Sequence, residues 1–239
     1  MDKTLKLIDT KLEVNEIFYS VSGEGPSIGT PAIFLRLSKC NFNCSWKVKG
    51  KIRTCDTLYA KGNGEILNID EVAQRIYNAE TSSTTPMLIV SGGEPTLQYK
   101  GIVDLLSTIP QMNLGIETNG SLPTESNSLN TKFIYMFDQY VISPKLQTPL
   151  KNIKFFSKHP GRVYFKFVYD GTKETWDFII NTIMKMEVVK RNHIYLMSAG
   201  CTYEELHDLD LKTVELCKTY GFNFSPRLQS YLWGKKRGV

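Results

Sequence analysis

Three cysteines stand close together in an otherwise polar stretch, Cys40-Asn-Phe-Asn-Cys44 and, ten residues later, Cys55-Asp-Thr57. Free cysteine is among the most buried residue types, so three unrelated core thiols are the plain alternative. A lysine-rich loop directly after the apolar run Ala32–Leu37 is a poor place for core residues, however. Three thiolates suit a soft metal centre. A structural zinc takes four protein ligands, and neither a histidine nor a fourth cysteine lies nearby; His159, His193 and His207 are far along the chain. On a four-iron cluster, three cysteines leave one iron open for chemistry. Cys201 and Cys217 read as structural, Cys217 at helical spacing within Val214–Tyr220.

Other polar groups follow apolar runs. Ser91-Gly-Gly-Glu-Pro-Thr96 comes directly after Met87–Val90. Glycines there let the backbone approach a ligand, and a carboxylate beside exposed peptide groups can hold an ammonium; a simple turn is the alternative. Glu117-Thr-Asn-Gly120 and Ser143-Pro-Lys145 occupy similar positions, and each alone could be a turn or a chain stop. Arg36 lies inside an apolar strand, which is costly unless it is paired; its planar fork suits a carboxylate, from a ligand or from an internal salt bridge.

The elements that must position these groups alternate. Ala32–Leu37, Met87–Val90, Leu114–Glu117, Tyr140–Ser143, Val163–Val168 and Ile194–Met197 read as strands, and Asp70–Asn78, Gly101–Leu106, Lys173–Met186 and Tyr203–Tyr220 as helices. Asn68 with Glu71 has capping-box spacing, and Gly221 suits a helix end. Such alternation predicts an α/β fold with a mostly parallel sheet, open or curled toward a barrel, and ligands at the carboxyl ends of its strands. With 239 residues and no long linker, the chain reads as one domain, 1–239, with 41% hydrophobic and 22% charged residues in ordinary globular proportion. Its net charge of +5 is too small for a protein that coats nucleic acid. No apolar stretch approaches the roughly 20 residues of a membrane span. The N-terminus, Met1–Thr10, lacks an apolar leader, so a cytoplasmic location and a reducing environment are expected, with no disulfide framework.

Without the eight residues 47–54, the cysteine segment would read Cys-Asn-Phe-Asn-Cys-Ser-Trp-Cys-Asp-Thr. It then resembles the CxxxCxxC motif of the radical S-adenosylmethionine enzymes, and is similar in particular to the 7-carboxy-7-deazaguanine synthases. The 47–54 insertion departs from the common spacing but leaves the ligand count unchanged, since closure entropy grows slowly with loop length. The resemblance implies a partial, open β/α barrel. It implies a 4Fe-4S cluster on Cys40, Cys44 and Cys55, with Thr57 as magnesium ligand. Gly92, Gly93 and Glu94 match the family's GGEP motif and would contact the methionine moiety of S-adenosyl-L-methionine. Glu117, Ser143, Pro144 and Lys145 would surround its ribose and carboxylate. The segment Phe18–Ser27 resembles the family's substrate loop, which assigns Val21, Ser22, Gly23 and Glu24 to substrate; Ser22 stands where glutamine is usual. Ser91 would face the substrate, Arg36 its carboxylate, and Gln229 stands where the family's tail commonly has histidine. Leu196–Gly200 departs from the family's pattern. The resemblance runs from about Glu16 to Val239 and is least diagnostic over Gln98–Asp138, apart from Glu117–Gly120.

The activity so implied is a radical ring contraction, a carbon-nitrogen lyase reaction. S-adenosylmethionine would be cleaved reductively, a 5′-deoxyadenosyl radical would take hydrogen from C6 of 6-carboxy-5,6,7,8-tetrahydropterin, and ring contraction with magnesium assistance and loss of ammonia would give 7-carboxy-7-deazaguanine for 7-deazapurine or queuosine-type biosynthesis. The implied partners are a pterin substrate, flavodoxin or ferredoxin as electron donor, and a second copy of the chain in a homodimer, with no membrane and no direct nucleic-acid contact. Two rival readings are a glycyl-radical-enzyme activase and a zinc-bound module gripping nucleic acid through Lys47, Lys49, Lys51 and Arg53.

Overall fold

The computed structural model of the chain describes residues 10–79, 86–109, 112–122 and 128–239. The leader reading of the N-terminus falls on residues 1–9, outside the described residues. The elements run β1 (Lys11–Val21), β2 (Pro31–Leu37), β3 (Ser45–Val48), β4 (Lys51–Thr54), β5 (Glu65–Asn68), α1 (Ile69–Ala79), β6 (Met87–Gly92), α2 (Tyr99–Thr108), β7 (Leu114–Thr118), α3 (Ser128–Tyr135), β8 (Gln139–Ile142), α4 (Leu150–Ser157), β9 (Val163–Tyr169), α5 (Lys173–Met184), β10 (Ile194–Ser198), α6 (Tyr203–Tyr220), β11 (Asn223–Phe224) and α7 (Leu228–Trp233).

Nine strands form one sheet in the order β11-β10-β9-β8-β7-β6-β2-β1-β5. From β2 through β11 every neighbour is parallel, and the strands follow chain order without reversal. Right-handed crossovers stepping always the same way put their helices on one face and curl the sheet. β1 and β5 join antiparallel at one edge. The sheet ends at β5 and β11 without closing, so this is an open, partial β/α barrel.

Strand parity sorts the two faces. Ile33, Leu35 and Leu37 of β2, Leu88 and Val90 of β6, Ile116 of β7, and Phe165 and Phe167 of β9 enter one apolar core with Val72 and Ile76 of α1, Ile102 and Leu105 of α2, and Ile179 of α5. The alternate residues face away from the helices. Near the strands' starts these are Ala32, Phe34, Met87 and Ile89, a small apolar plug. Farther along they are Arg36, Ser91, Glu117 and Lys166, and the change from apolar to charged marks where the polar inner chamber of the open barrel begins.

The expected caps form. Asn68 Oδ1 accepts from Glu71 N while Glu71 Oε2 accepts from Asn68 N, both at 2.9 Å. Gly221, at φ 69°, ends α6 in the left-handed region that glycine adopts freely. Helix α5 stops at Met184 rather than Met186, because Lys185 N turns back to Thr182 and Ile183 carbonyls. Cys217 lies in the core, and burial pushes its thiol up to about 11. Cys201 instead lies half-buried beside Arg227.

Candidate active site

β2 leaves the sheet at Leu37, and the cysteine segment folds directly over the end of β6. Gly93 N donates to Leu37 O at 3.0 Å, and Glu94 N to Lys39 O at 2.8 Å. A Cβ on Gly92 would stand 2.1 Å from Leu37 O; one on Gly93 would stand 1.9 Å from Lys39 O and 3.1 Å from Cys40 Cβ. The two glycines thus admit the backbone that carries Cys40, rather than a ligand alone. The next stretch is a hairpin, β3 on β4, turned by Lys49 and Gly50 at φ 46° and 76°. Cys55 N donates to Cys44 O at 3.2 Å, which sets these cysteines opposite each other at the hairpin's base.

All three thiols are half-buried and free of disulfides. Burial raises the Cys44 thiol, with the nearby Lys145 ammonium pulling it down and the Cys55 and Cys40 sulfurs pushing it up. Burial and then Asp56 raise Cys55. Among the described residues no three His, Cys, Asp or Glu side chains are grouped for a single metal ion. Thr57 Oγ1 lies 3.2 Å from Cys55 Sγ and 3.4 Å from Asp56 Oδ1.

Glu94 is fully buried and turned into the protein. Its Oε1 accepts from Thr96 N (3.1 Å), Thr96 Oγ1 (2.5 Å) and Thr118 Oγ1 (2.6 Å), and its Oε2 from Asn119 N (2.7 Å). Burial raises its pKa against these donors. Lys145 curls back onto Ser143 O (2.6 Å) and Ser143 Oγ (2.7 Å), with its ammonium 6.0 Å from the Trp46 ring centroid. Burial lowers its pKa, partly offset by Cys44. Both charged groups therefore already have protein partners, and Pro144, next to Lys145 in the chain, is buried.

The chamber below is organised by Lys166, which sequence reasoning did not single out. Its side chain is 5% exposed and its Nζ bridges Glu24 Oε2 at 2.6 Å and Glu117 Oε1 at 3.0 Å. Glu117 Oε2 accepts from Ser91 Oγ at 3.0 Å, and Glu24 Oε1 from Gln229 Nε2 at 2.6 Å. Four expected site residues are thereby brought together around one lysine. Ser22 Oγ meets Ser27 Oγ at 3.1 Å, and a Cβ on Gly23 would meet Gln229 Oε1 at 2.0 Å and displace that side chain. Val21 remains in the ladder opposite Pro31. Arg36 takes the internal partner: its Nε donates to Glu16 Oε1 at 2.7 Å, and Tyr59 OH donates to the same oxygen at 2.9 Å.

Asp56 and Arg227 were also missed. Arg227 Nη2 pairs with Asp56 Oδ2, Nη1 donates to Gly200 O at 2.6 Å, and Nε faces Glu24 Oε1 at 3.3 Å. Desolvation disfavours the Asp56 carboxylate, but Arg227 outweighs it and brings the group to about 2. Burial likewise opposes the charge on Glu24, and Lys166 with Arg227 lowers it on balance. Both cations are in turn held well above their ordinary values by these carboxylates, against their own burial.

An open β/α barrel with a charged inner chamber and a cysteine loop folded over the end of β6 has the make-up of an α/β enzyme. No family model matches the chain. It is 30% identical over 237 residues to the 7-carboxy-7-deazaguanine synthase of Hyperthermus butylicus, covering 92% of each chain, and 27% identical to that of Pyrobaculum aerophilum, covering 95% of this chain and 97% of that one. The synthase of Bacteroides thetaiotaomicron is 30% identical over 192 residues. The chain belongs to the 7-carboxy-7-deazaguanine synthase family. Its fold is shared with the crystal structure of QueE from Escherichia coli, with a TM-score of 0.63 over 91% of this chain and 94% of that one, at 18% identity.

Proposed function

We propose that the chain is a radical S-adenosylmethionine enzyme that converts 6-carboxy-5,6,7,8-tetrahydropterin to 7-carboxy-7-deazaguanine with loss of ammonia. The observation that carries this reading is the gathering of three unpaired thiols beside the end of β6: Cys40 lies against Gly93, Cys44 is bonded through its backbone to Cys55, and the Cys55 and Cys40 sulfurs both act on Cys44. The donor set fits the group: three free soft sulfurs, one too few for a closed four-ligand site, with the Cys55 and Cys40 sulfurs near enough to act on Cys44. Cys40, Cys44 and Cys55 would hold a 4Fe-4S cluster, which when bound supplies the electron that cleaves S-adenosylmethionine.

The remaining work falls to side chains in place. Lys145 would offer its ammonium to the nucleotide's carboxylate, exchanging it for the Ser143 oxygens. Glu94 would act through the strand ends it holds, keeping the Gly92–Gly93 peptides against the ligand. Glu117, fixed by Lys166, and Ser91 would align the nucleotide with the substrate. Glu24 with Gln229, and Arg36, would hold the substrate's ring and carboxylate, and Thr57 would offer its hydroxyl to magnesium. The Ser22–Ser27 loop, bonded to the C-terminal segment through Gly25 N to Ser225 Oγ (2.8 Å) and Leu228 N to Gly23 O (3.0 Å), would keep water from the chamber. This reading includes a cytoplasmic location, a homodimer, and flavodoxin or ferredoxin as electron donor; among the described residues no helix is long and apolar enough to cross a membrane.

Anaerobic reconstitution should give about four irons per chain, and turnover with the carboxytetrahydropterin, S-adenosylmethionine and magnesium should release the deazapurine and ammonia. Cys55→Ala is expected to abolish cluster assembly and turnover together. An active Cys55→Ala protein with a full cluster would refute the ligand assignment.

A further inference from the structure

The ten residues between Cys44 and Cys55 give the third thiol a long tether, and a loose tether spreads the positions its end can take. This one is not loose. Val48 is 3% exposed, Lys47 N donates to Asp170 Oδ2 at 3.0 Å, and Lys49 Nζ lies 3.5 Å from Asp208 Oδ2, so the hairpin rests on the start of α6 and on the β9–α5 turn. Cys55 itself is flanked by two ion pairs. On one side Arg53 Nη2 meets Glu205 Oε1; on the other Asp56 meets Arg227 Nη2.

Both partners are tied to one short stretch of backbone. Glu205 Oε2 accepts from Cys201 N at 2.9 Å, and Arg227 Nη1 donates to Gly200 O at 2.6 Å. The contacts close a ring from Arg53 through Glu205, Cys201, Gly200, Arg227 and Asp56 back to Cys55. The anchors are not solvated surface charges: the side chains of Glu205 and Arg227 are 10% and 9% exposed. Removing one member of such a pair leaves an uncompensated buried charge, so the ring resists opening.

We propose that Arg53 and Glu205 are positioning residues for Cys55. The two ion pairs form a two-point clamp that holds the third thiol of the lengthened loop in place over the sheet. Through Arg227, which also faces Glu24, the clamp joins the cysteine loop to the chamber. The inference rests on the cluster reading above, and its test separates the two.

The reconstituted holoprotein is challenged anaerobically with a strong iron chelator, and iron release is followed by absorbance. Arg53→Met and Glu205→Gln should release iron roughly tenfold to a hundredfold faster, the usual cost of losing an outer support of a metal ligand, and should alter the electron paramagnetic resonance of the reduced cluster while the circular dichroism stays the same. Arg53→Lys, which keeps the charge, should retain iron nearly as the parent does. Lys49→Ala, which removes only the exposed pair with Asp208, should behave as the parent. Should Glu205→Gln fail to fold for want of its bond to Cys201, Arg53→Met carries the test, since its side chain is 43% exposed. Parent-like iron retention and spectra in Arg53→Met overturn the clamp and leave the proposed function standing. A parent protein that takes up no iron overturns both.

Discussion

Lys166 is the residue on which the chamber's charge balance turns. Replacing it with methionine takes the cation from between Glu24 and Glu117; Glu24 keeps Arg227 beside it, while Glu117 is left with Ser91. Breaking a buried pair in this way costs about 3 kcal/mol, so Lys166→Met should lower the melting temperature by roughly 6–12 °C in a chain of this length. A calorimetric melt within a degree of the parent would show the bridge to be dispensable. Arg36 and Lys166 carry the same local signal, a cation inside an apolar strand, yet the sequence singled out only Arg36. The strand Val163–Val168 was legible from its apolar residues, but the partners that make Lys166 tolerable lie 142 and 49 residues away. Asp56 was hidden in the same manner. It stands in the quoted Cys-Asp-Thr segment, but its role depends on Arg227, 171 residues along. Short spacings reveal side chains that share an element, and these charges meet only after the sheet has curled.

Among the elements, those that cover the core announced themselves. The central strands β6 to β10 and helices α1, α2, α5 and α6 follow the sequence expectations to within a few residues, because burial on one or both faces imposes a steady apolar period. β1 escaped because a register shift between Val14 and Glu16 breaks its alternation. The β3–β4 hairpin was read as a lysine-rich loop, although Lys-Val-Lys-Gly-Lys-Ile-Arg-Thr alternates about a Lys-Gly turn; its strong charge concealed a usable hairpin pattern. The Gly-Gly turn was seen, but its purpose was only half legible, since nothing local says that another backbone passes within 3.0 Å. That contact gives a test of how β6 holds the cysteine loop. Gly93→Ala puts a methyl group 1.9 Å from Lys39 O, and neither side of the clash is a flexible chain end. The loop must shift, at about 1–3 kcal/mol, and Cys40 with it. Iron content per chain after reconstitution should fall along with the melting temperature. Full iron content in Gly93→Ala would mean that the loop's seat on β6 does not set Cys40.

At the scale of the whole molecule, the open barrel is bridged by ion pairs, together with the Gly25–Ser225 and Leu228–Gly23 hydrogen bonds, rather than by strand pairing. The loop Ser22–Ser27 and the segment from Ser225 to Trp233 meet over the chamber, and the contacts of Glu24 with Lys166 and Arg227, and of Asp56 with Arg227, all join a carboxylate to a cation. Both carboxyl groups are held below their ordinary values in the folded protein, Asp56 at about 2. The unfolded chain therefore binds their protons more readily than the folded one does. Their stabilising effect is complete above the usual carboxylate range near pH 4 and fades as the pH falls through the folded values toward 2. Glu94 runs the other way: burial raises its pKa against the hydrogen bonds it accepts, so its uptake of a proton favours the folded form as the pH drops. Acid should accordingly loosen the bridge before it loosens the sheet. Hydrogen exchange at pH 3, corrected for intrinsic rates and compared with pH 7, should show protection lost in Ser22–Ser27 and Leu228–Trp233 while β6 to β9 keep theirs. Simultaneous loss in all of these segments would mean that the ion pairs do not close the barrel and that the apolar core alone governs the acid response.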